Sequence, residues 1–141
     1  MTTTPPRTRL MLVTPPISDP GALSFRLMQA FAGGDVAAVL LRLAPGDERS
    51  LTERVKALAP PVQAQNVALV VEASAQVASR GGADGVHLTR GVEGISEARS
   101  SLKQERIIGA GGLRARHDAM DVGEAGVDYV MFGEPRPDGS L

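Results

Sequence analysis

The chain of 141 residues contains no cysteine and no tryptophan, and aromatic residues make up only 3% of it. The absence of cysteine excludes disulfides, thiolate nucleophiles and thiolate metal ligands. A net charge of −1 provides no strong attraction for nucleic acid or an acidic membrane, so we expect neither partner. The longest apolar runs are strand-sized and the N-terminus MTTTPPRTR has no apolar core. These features indicate neither a membrane span nor a secretion signal, and we expect a cytoplasmic protein.

A short motif occurs three times: Gly33-Gly34-Asp35, Gly82-Ala83-Asp84 and Gly126-Val127-Asp128. Each copy joins a helix-like stretch to an apolar run. A glycine directly after a helix accepts the left-handed backbone that ends it, and the aspartate turns the chain into a strand. The motif therefore predicts alternating β and α units, with the three aspartates as turn residues at the N-terminal ends of strands.

Six apolar segments are predicted as strands: Leu10–Val13, Val36–Leu41, Val67–Val71, Gly85–Leu88, Ile107–Ala110 and Val127–Phe132. The patterns between them predict about five helices, of which one begins at Asp19-Pro20 and another ends at Pro60-Pro61. Because the apolar runs are continuous rather than alternating, both faces of the sheet are expected to be covered, as in a parallel sheet.

This rhythm predicts an α/β fold, a partial (β/α)8 TIM barrel of about six parallel βα units that stops before the last two. A complete barrel typically needs about 250 residues. An open doubly wound sheet, or a sheet whose edges a partner covers, is the alternative. Residues 1–8 are predicted as a flexible tail and residues 9–141 as a single domain. The first and sixth strands would then expose edges, which a second copy in a homo-oligomer could cover.

The order of the motifs LMLVTPP, GGADGVHL, RIIGAGG and GVDYVMFGEPRP resembles thiamine phosphate synthase and its thiazole-tautomerase relatives, which are phosphate-binding (β/α)8 barrels. The resemblance implies a reaction that joins a pyrimidine diphosphate to a thiazole phosphate and releases pyrophosphate. Such chemistry needs Mg²⁺ and cationic side chains to neutralise the charge on the leaving diphosphate.

The metal positions implied by the resemblance are substituted in this chain. Where the family has Asn-Asp after the third strand, Glu72 and Ala73 stand here, and the second metal aspartate is replaced by Val92. Glu93 follows Val92 and could serve only if its loop shifted. We therefore expect no metal site and no cofactor of the family's kind.

Most of the residues that the resemblance implies for substrate binding are also substituted. Of the family's Gln-x-Arg-x-Lys cluster only Arg42 remains, the family serine after the fifth strand is Gly111, and the Thr-x-Thr-Lys loop keeps one hydroxyl, on Ser140. The histidine of the tautomerase relatives corresponds to Leu113. The predicted site for a phosphorylated small molecule thus comprises Arg42, Glu72, Gly111 and Ser140, and no catalytic residue is assigned.

Several of these side chains have a structural interpretation as well. Arg42 can bind a phosphate or carboxylate, or it can pair with Glu72 on the next strand. His87 is interpreted as a core histidine bonded to backbone rather than a general base, and His117 as a solvated helix position. The segment Gly109–Gly112 could expose N–H groups to a phosphate, but a tight turn is the preferred interpretation.

Two functions follow from the sequence. The first is an enzyme of the thiamine phosphate synthase group, a transferase of thiamine biosynthesis with altered ligand requirements. The second is a non-catalytic barrel relative that binds a phosphorylated metabolite or a protein partner. The substituted magnesium and diphosphate positions favour the second, a pseudoenzyme.

Overall fold

The computed structural model describes residues 5, 7–102 and 105–133, and within them strands and helices alternate along the chain. The strands are β1 (Leu10–Val13), β2 (Val36–Arg42), β3 (Ala68–Glu72), β4 (Gly85–Leu88), β5 (Ile107–Leu113) and β6 (Tyr129–Phe132). The helices are α1 (Pro20–Gly33), α2 (Glu48–Gln63), α3 (Ala75–Gly81), α4 (Gly91–Ser101) and α5 (Arg116–Glu124).

All neighbouring strands pair in parallel, and the sheet order is β1-β2-β3-β4-β5-β6. Each helix contacts the next one along the chain, so the helices form a layer over one face of the sheet. The core lies between them and contains Val39, Leu69, Val86 and Ile108 from the strands. This arrangement confirms the predicted partial (β/α)8 barrel and its sequential strand order.

Two of the three motif aspartates tie neighbouring strands together at their N-terminal ends. The N–H of Leu69 donates to Oδ2 of Asp84 at 2.8 Å, and the N–H of Asp84 donates back to the carbonyl of Leu69 at 2.8 Å. Asp128 makes the same pair of bonds with Ile108, at 2.8 and 2.7 Å. The predicted structural role of these aspartates is confirmed, and each one fixes the position of a strand beside its own.

The first copy of the motif differs from the other two. Gly82 and Gly126 have left-handed backbones, with φ of 80° and 89°, as predicted. Gly33, the first glycine of this copy, is the last residue of α1 and does not have a positive φ, and Gly34 after it has a φ of −170°, an extended backbone open to any residue, so the prediction is wrong there. The carboxylate of Asp35 instead accepts a hydrogen bond from Arg9 at 2.8 Å.

Two predicted element ends are also wrong. Helix α2 does not stop at Pro60-Pro61 but continues to Gln63, because Val62 is fully buried in the core and the carbonyl of Pro60 still accepts a bond from the N–H of Ala64. Strand β5 continues through the segment Gly109–Gly112, for which a tight turn was preferred. The glycines are accommodated there by a shift in the pairing register between β5 and β6, and the chain makes no turn.

Both outer strands carry exposed apolar side chains. Leu10 on β1 and Val130 and Phe132 on β6 are each exposed, although strands of a parallel sheet are normally covered on both faces. Among the described residues, no helix is both long and apolar enough to cross a bilayer. The domain boundaries and the cytoplasmic location stay predictions.

Candidate functional site

Arg42 and Glu72 form an ion pair at the carboxyl ends of β2 and β3. The two residues are register partners, and Nε of Arg42 donates to Oε2 of Glu72 at 3.0 Å. Only 13% of the arginine side chain and 30% of the glutamate side chain are exposed. The structure thus contains the predicted pair, and it lies at the end of the sheet where (β/α)8 barrels place their ligand sites.

The backbone around Arg42 is held by the chain that follows β1. The N–H of Arg42 donates to Oγ1 of Thr14 at 2.9 Å, and Ile17 forms an isolated parallel bridge with Leu43. Arg54 of α2 then donates to the carbonyls of Ile17 and Ala44, at 3.3 and 2.7 Å. The loops after β1 and β2 are therefore joined at this end, and Arg42 is presented from a fixed backbone.

A pocket of about 520 Å³ opens beside this pair, between the ends of β3 and β4 and the helices α3 and α4. Its wall includes Glu72, Ala73, Ser74, His87, Thr89 and Arg90. We call this pocket the mouth pocket. Its lining combines hydroxyl groups, a guanidinium and an imidazole with the carboxylates of Glu48, Glu72 and Glu97, and such groups can hold a small polar ligand.

The mouth pocket does not have the donors that a family-type magnesium site would need. The side chain of Ala73 carries no oxygen, Glu72 is engaged with Arg42, and Val92 lies in the first turn of α4 rather than in a loop. Glu93 follows Val92 in that helix and is exposed. Mg²⁺ prefers several oxygen ligands in a near-octahedral arrangement. Among the described residues no group of three or more potential ligands is close enough to hold a metal ion, so the residues present do not fit the ion.

The remaining predicted residues are spread more widely. Gly111 is buried in β5, two strands away from Glu72 in the sheet. Ser140 lies outside the described residues. Leu113, at the position of the tautomerase histidine, is buried in the core, and His117 lies in the first turn of α5 with 79% of its side chain exposed. His117 is therefore the solvated residue that was predicted.

One side-chain pair was not anticipated from the sequence. His87 is buried with 1% exposure, as predicted for a core histidine, but its Nδ1 lies 2.7 Å from the hydroxyl of Tyr129, a side-chain partner. The two rings are stacked with centroids 5.7 Å apart. Gly109, which lies between them in the sheet, was the available signal, because a glycine inside a strand often marks a close approach of another group.

Two aspartates near the ends of strands have lowered pKa values. The N–H of Ser50 donates to Asp47 at the start of α2 and lowers the pKa of this carboxyl group, and Arg54 adds a smaller effect of the same sign. At the opposite end of the sheet, the hydrogen bond and then the charge of Arg9 lower the pKa of Asp35. Asp47 therefore stays ionised as the N-cap of α2, where a negative charge is favourable.

The parallel sheet, the helix layer on one face and the polar pocket at the carboxyl ends of the strands define a segment of a (β/α)8-barrel protein. The family model described as thiamine monophosphate synthase matches residues 10–138. The chain belongs to this family.

Individual relatives agree with this assignment. Over 132 residues the chain is 40% identical to the thiamine-phosphate synthase of Rhodospirillum centenum, with 94% of this chain and 64% of the relative covered. Over 133 residues it is 40% identical to the thiamine-phosphate synthase of Hyphomonas neptunium, with 91% and 60% covered. A solved structure, thiamine phosphate pyrophosphorylase from Pyrococcus furiosus, matches with a TM-score of 0.75 and 26% identity, covering 94% of this chain and 64% of that one. The chain thus spans less than two thirds of the length of these relatives.

Proposed function

We propose that this chain binds a phosphorylated small molecule at the mouth pocket through Arg42, without the magnesium-dependent transfer that the family resemblance implies. The observation that carries the proposal is the Arg42–Glu72 pair. A mostly buried guanidinium must be neutralised by an anion, and the carboxylate that does so lies on the wall of the mouth pocket. Arg42 is not itself a wall residue, so a phosphate that enters the pocket would reach it by taking the place of Glu72. A guanidinium can hold two oxygens of such a ligand at once.

The substituted metal positions support the non-catalytic part of the proposal. Ala73 and Val92 stand at the positions implied for the two magnesium aspartates, and among the described residues no group of three or more potential ligands is close enough to hold the ion on a leaving diphosphate. Arg42 alone can still neutralise a phosphate in the ground state. Binding and transfer are therefore separable in this chain, and the proposal retains binding only.

The test is a calorimetric titration of the purified chain with thiazole phosphate, the pyrimidine diphosphate, thiamine phosphate and inorganic phosphate, each with and without Mg²⁺. We expect at least one phosphorylated compound to bind with the same affinity whether or not Mg²⁺ is present. Binding that requires Mg²⁺, together with release of pyrophosphate when both substrates are added, would contradict the proposal.

The second candidate function is the synthase reaction itself. It is favoured by the 40% identity to two relatives that are named as thiamine-phosphate synthases. The same titration separates the two functions, because only the synthase consumes the pyrimidine diphosphate.

A further inference from the structure

His87, Gly109 and Tyr129 form one row across β4, β5 and β6. His87 is the register partner of Gly109, and Gly109 is the register partner of Tyr129. Side chains in such a row point to the same face of a sheet. The tyrosine and the histidine are therefore on one face of the sheet. Strand β5 lies between them, and its residue in this row, Gly109, has no side chain.

The missing side chain is what allows the two rings to meet. A Cβ atom on Gly109 would overlap Cζ and the hydroxyl oxygen of Tyr129, so the tyrosine ring passes directly over the glycine. The tyrosine ring is stacked against the imidazole ring of His87, at an interplanar angle of 19°. Any larger residue at position 109 would displace the tyrosine from the histidine.

The length of the bond indicates which group donates. The hydroxyl of Tyr129 and Nδ1 of His87 are 2.7 Å apart. Bonds donated by O–H groups cluster at about 2.7 to 2.8 Å, whereas those donated by N–H groups cluster at about 2.9 to 3.0 Å. The distance of 2.7 Å is at the mode for O–H donors and at the short limit of the range for N–H donors, so it favours the tyrosine hydroxyl as the donor and Nδ1 as the acceptor. A neutral imidazole that accepts at Nδ1 carries its proton on Nε2.

We propose that Tyr129 is a positioning residue that fixes neutral His87 as the Nε2–H tautomer through the gap left by Gly109. His87 lines the mouth pocket on the strand next to Glu72. The tautomer determines which ring nitrogen is a donor and which an acceptor, and hence the orientation in which His87 can meet other polar groups. The inference goes beyond the proposed function, since it concerns the protein before any ligand binds.

The test is nitrogen NMR of the intact chain with ¹⁵N-labelled histidine at pH 8. The chain has two histidines, and exposed His117 is an internal reference in every spectrum. For His87 we expect a pyridine-like Nδ1 and a pyrrole-like Nε2, and the shifts of His117 should be the same in every variant. A wild-type His87 with averaged shifts, or with its proton on Nδ1, would overturn the proposal without any variant.

Three variants assign the effect to Tyr129. Tyr129→Phe removes the donor, and Gly109→Ala keeps the hydroxyl but displaces the ring; both should move the shifts of His87 toward the averaged values. Gly123→Ala is the matched control, because a Cβ there meets open space in α5, and it should leave His87 unchanged. Wild-type shifts of His87 in a folded Tyr129→Phe protein would show that another group fixes the tautomer and would also overturn the proposal.

Discussion

At the scale of single residues, Arg42 and Glu72 combine a structural and a ligand-binding interpretation. The sequence leaves these two interpretations as alternatives, and the structure shows that the ion pair exists. The pair joins two adjacent strand ends at 3.0 Å, so a ligand that takes Arg42 must compete with Glu72. Because of this competition, we expect that removing the charge of Arg42 and removing the charge of Glu72 change the affinity for the ligand differently.

Replacing Arg42 with Ala should weaken the binding of a phosphorylated ligand by roughly 1.5 to 3 kcal/mol, the range for a hydrogen bond to a charged group. Glu72→Gln should leave the affinity unchanged or raise it, because it removes the competing charge. Calorimetry of the three proteins with the same ligand measures both effects. Arg9→Ala is the control, since Arg9 is also paired with a carboxylate, that of Asp35, but at the other end of the sheet. Equal affinities for wild type and Arg42→Ala would rule out an anion site at Arg42.

Magnesium should have little effect on this chain. The carboxylates next to the implied metal positions in the sequence are Glu72, which pairs with Arg42, and Glu93, which is exposed on α4. Glu48 and Glu97 also line the mouth pocket, but among the described residues no three potential ligands are grouped closely enough to hold a metal ion. A single carboxylate holds a hydrated Mg²⁺ ion only weakly. We therefore expect millimolar Mg²⁺ to leave the melting temperature nearly unchanged in a thermal scan. Stabilisation by several degrees at micromolar Mg²⁺, lost in Glu72→Ala, would show that the ion has a site here.

At the scale of strands and helices, the Gly-x-Asp motif has two different uses in the same chain. Asp84 and Asp128 each exchange a pair of hydrogen bonds with a residue on the neighbouring strand, whereas Asp35 pairs with Arg9 on the protein surface. The motif looks the same in sequence at all three places. The structure therefore predicts that the three aspartates differ in their contribution to stability.

Asp84→Ala should lower the free energy of unfolding by about 1.5 to 3 kcal/mol, because the N–H of Leu69 loses a charged acceptor. Asp35→Ala is the matched control from the first copy of the motif and should have a smaller effect, since an exposed ion pair contributes little. Urea unfolding at pH 7 measures both variants. A loss in Asp35→Ala as large as that in Asp84→Ala would contradict this interpretation.

The N-cap of α2 should make stability depend on pH. The hydrogen bond from Ser50 lowers the pKa of Asp47 in the folded protein, relative to an ordinary aspartate. The ionised cap therefore stabilises the fold fully above the pKa of the unfolded chain, about 3.9, and this stabilisation is lost as the pH falls through the lower folded pKa.

Asp47→Asn should reduce the melting temperature more at pH 7 than at pH 3, because wild type has already lost part of the ionised cap at pH 3. Melting curves at the two pH values measure the difference. Glu124→Gln, at the exposed end of α5, provides a control for removing one carboxylate. A difference between Asp47→Asn and wild type that is as large at pH 3 as at pH 7 would disagree with the lowered pKa.

Most of the elements could be predicted from local sequence, because continuous apolar runs and glycine stops are local signals. The strand Gly85–Leu88 was predicted with its observed ends. The end of α2 could not be predicted, since the burial of Val62 against the rest of the fold outweighs the helix-breaking tendency of two prolines. The course of β5 was missed for a similar reason, because its glycines are accommodated by a register shift against β6.

The sequence predicts only the part of the candidate site in which residues at the ends of two adjacent strands contact each other. Arg42 and Glu72 end consecutive strands, so parallel pairing alone brings them together. The contact between His87 and Tyr129 spans two strand pairings and depends on Gly109, and neither residue's own neighbours in the chain reveal it. The hydrogen bonds by which Arg54 joins the loops after β1 and β2 also depend on the three-dimensional course of the chain, so local sequence does not predict them.

At the scale of the whole molecule, β1 and β6 are the edge strands of the sheet that the described residues form. Strand edges carry backbone groups that can pair with another strand, and Val130 and Phe132 add apolar surface on β6. The relatives are longer than this chain by about a third of their length. We propose that a second copy of the chain covers these edges.

Light scattering should therefore detect a dimer or a larger oligomer of the purified chain. Val130→Asp should shift it toward the monomer, because a charge on β6 opposes the burial of this edge. Val92→Asp is the matched control, since Val92 is 43% exposed and Val130 42%, but Val92 lies on α4 within the helix layer. A strict monomer with a cooperative melting transition would contradict the proposal.

The bonds of Asp84 and Asp128 lie at the N-terminal end of the sheet, and Arg42, Glu72 and the mouth pocket lie at the other end. The groups that hold the strands in register are thus separate from the groups that meet a ligand. A substitution such as the alanine at position 73 can change the chemistry of the pocket and leave the strand pairing intact. Over evolutionary time, a lineage with this architecture can lose one activity and acquire another while its descendants continue to fold.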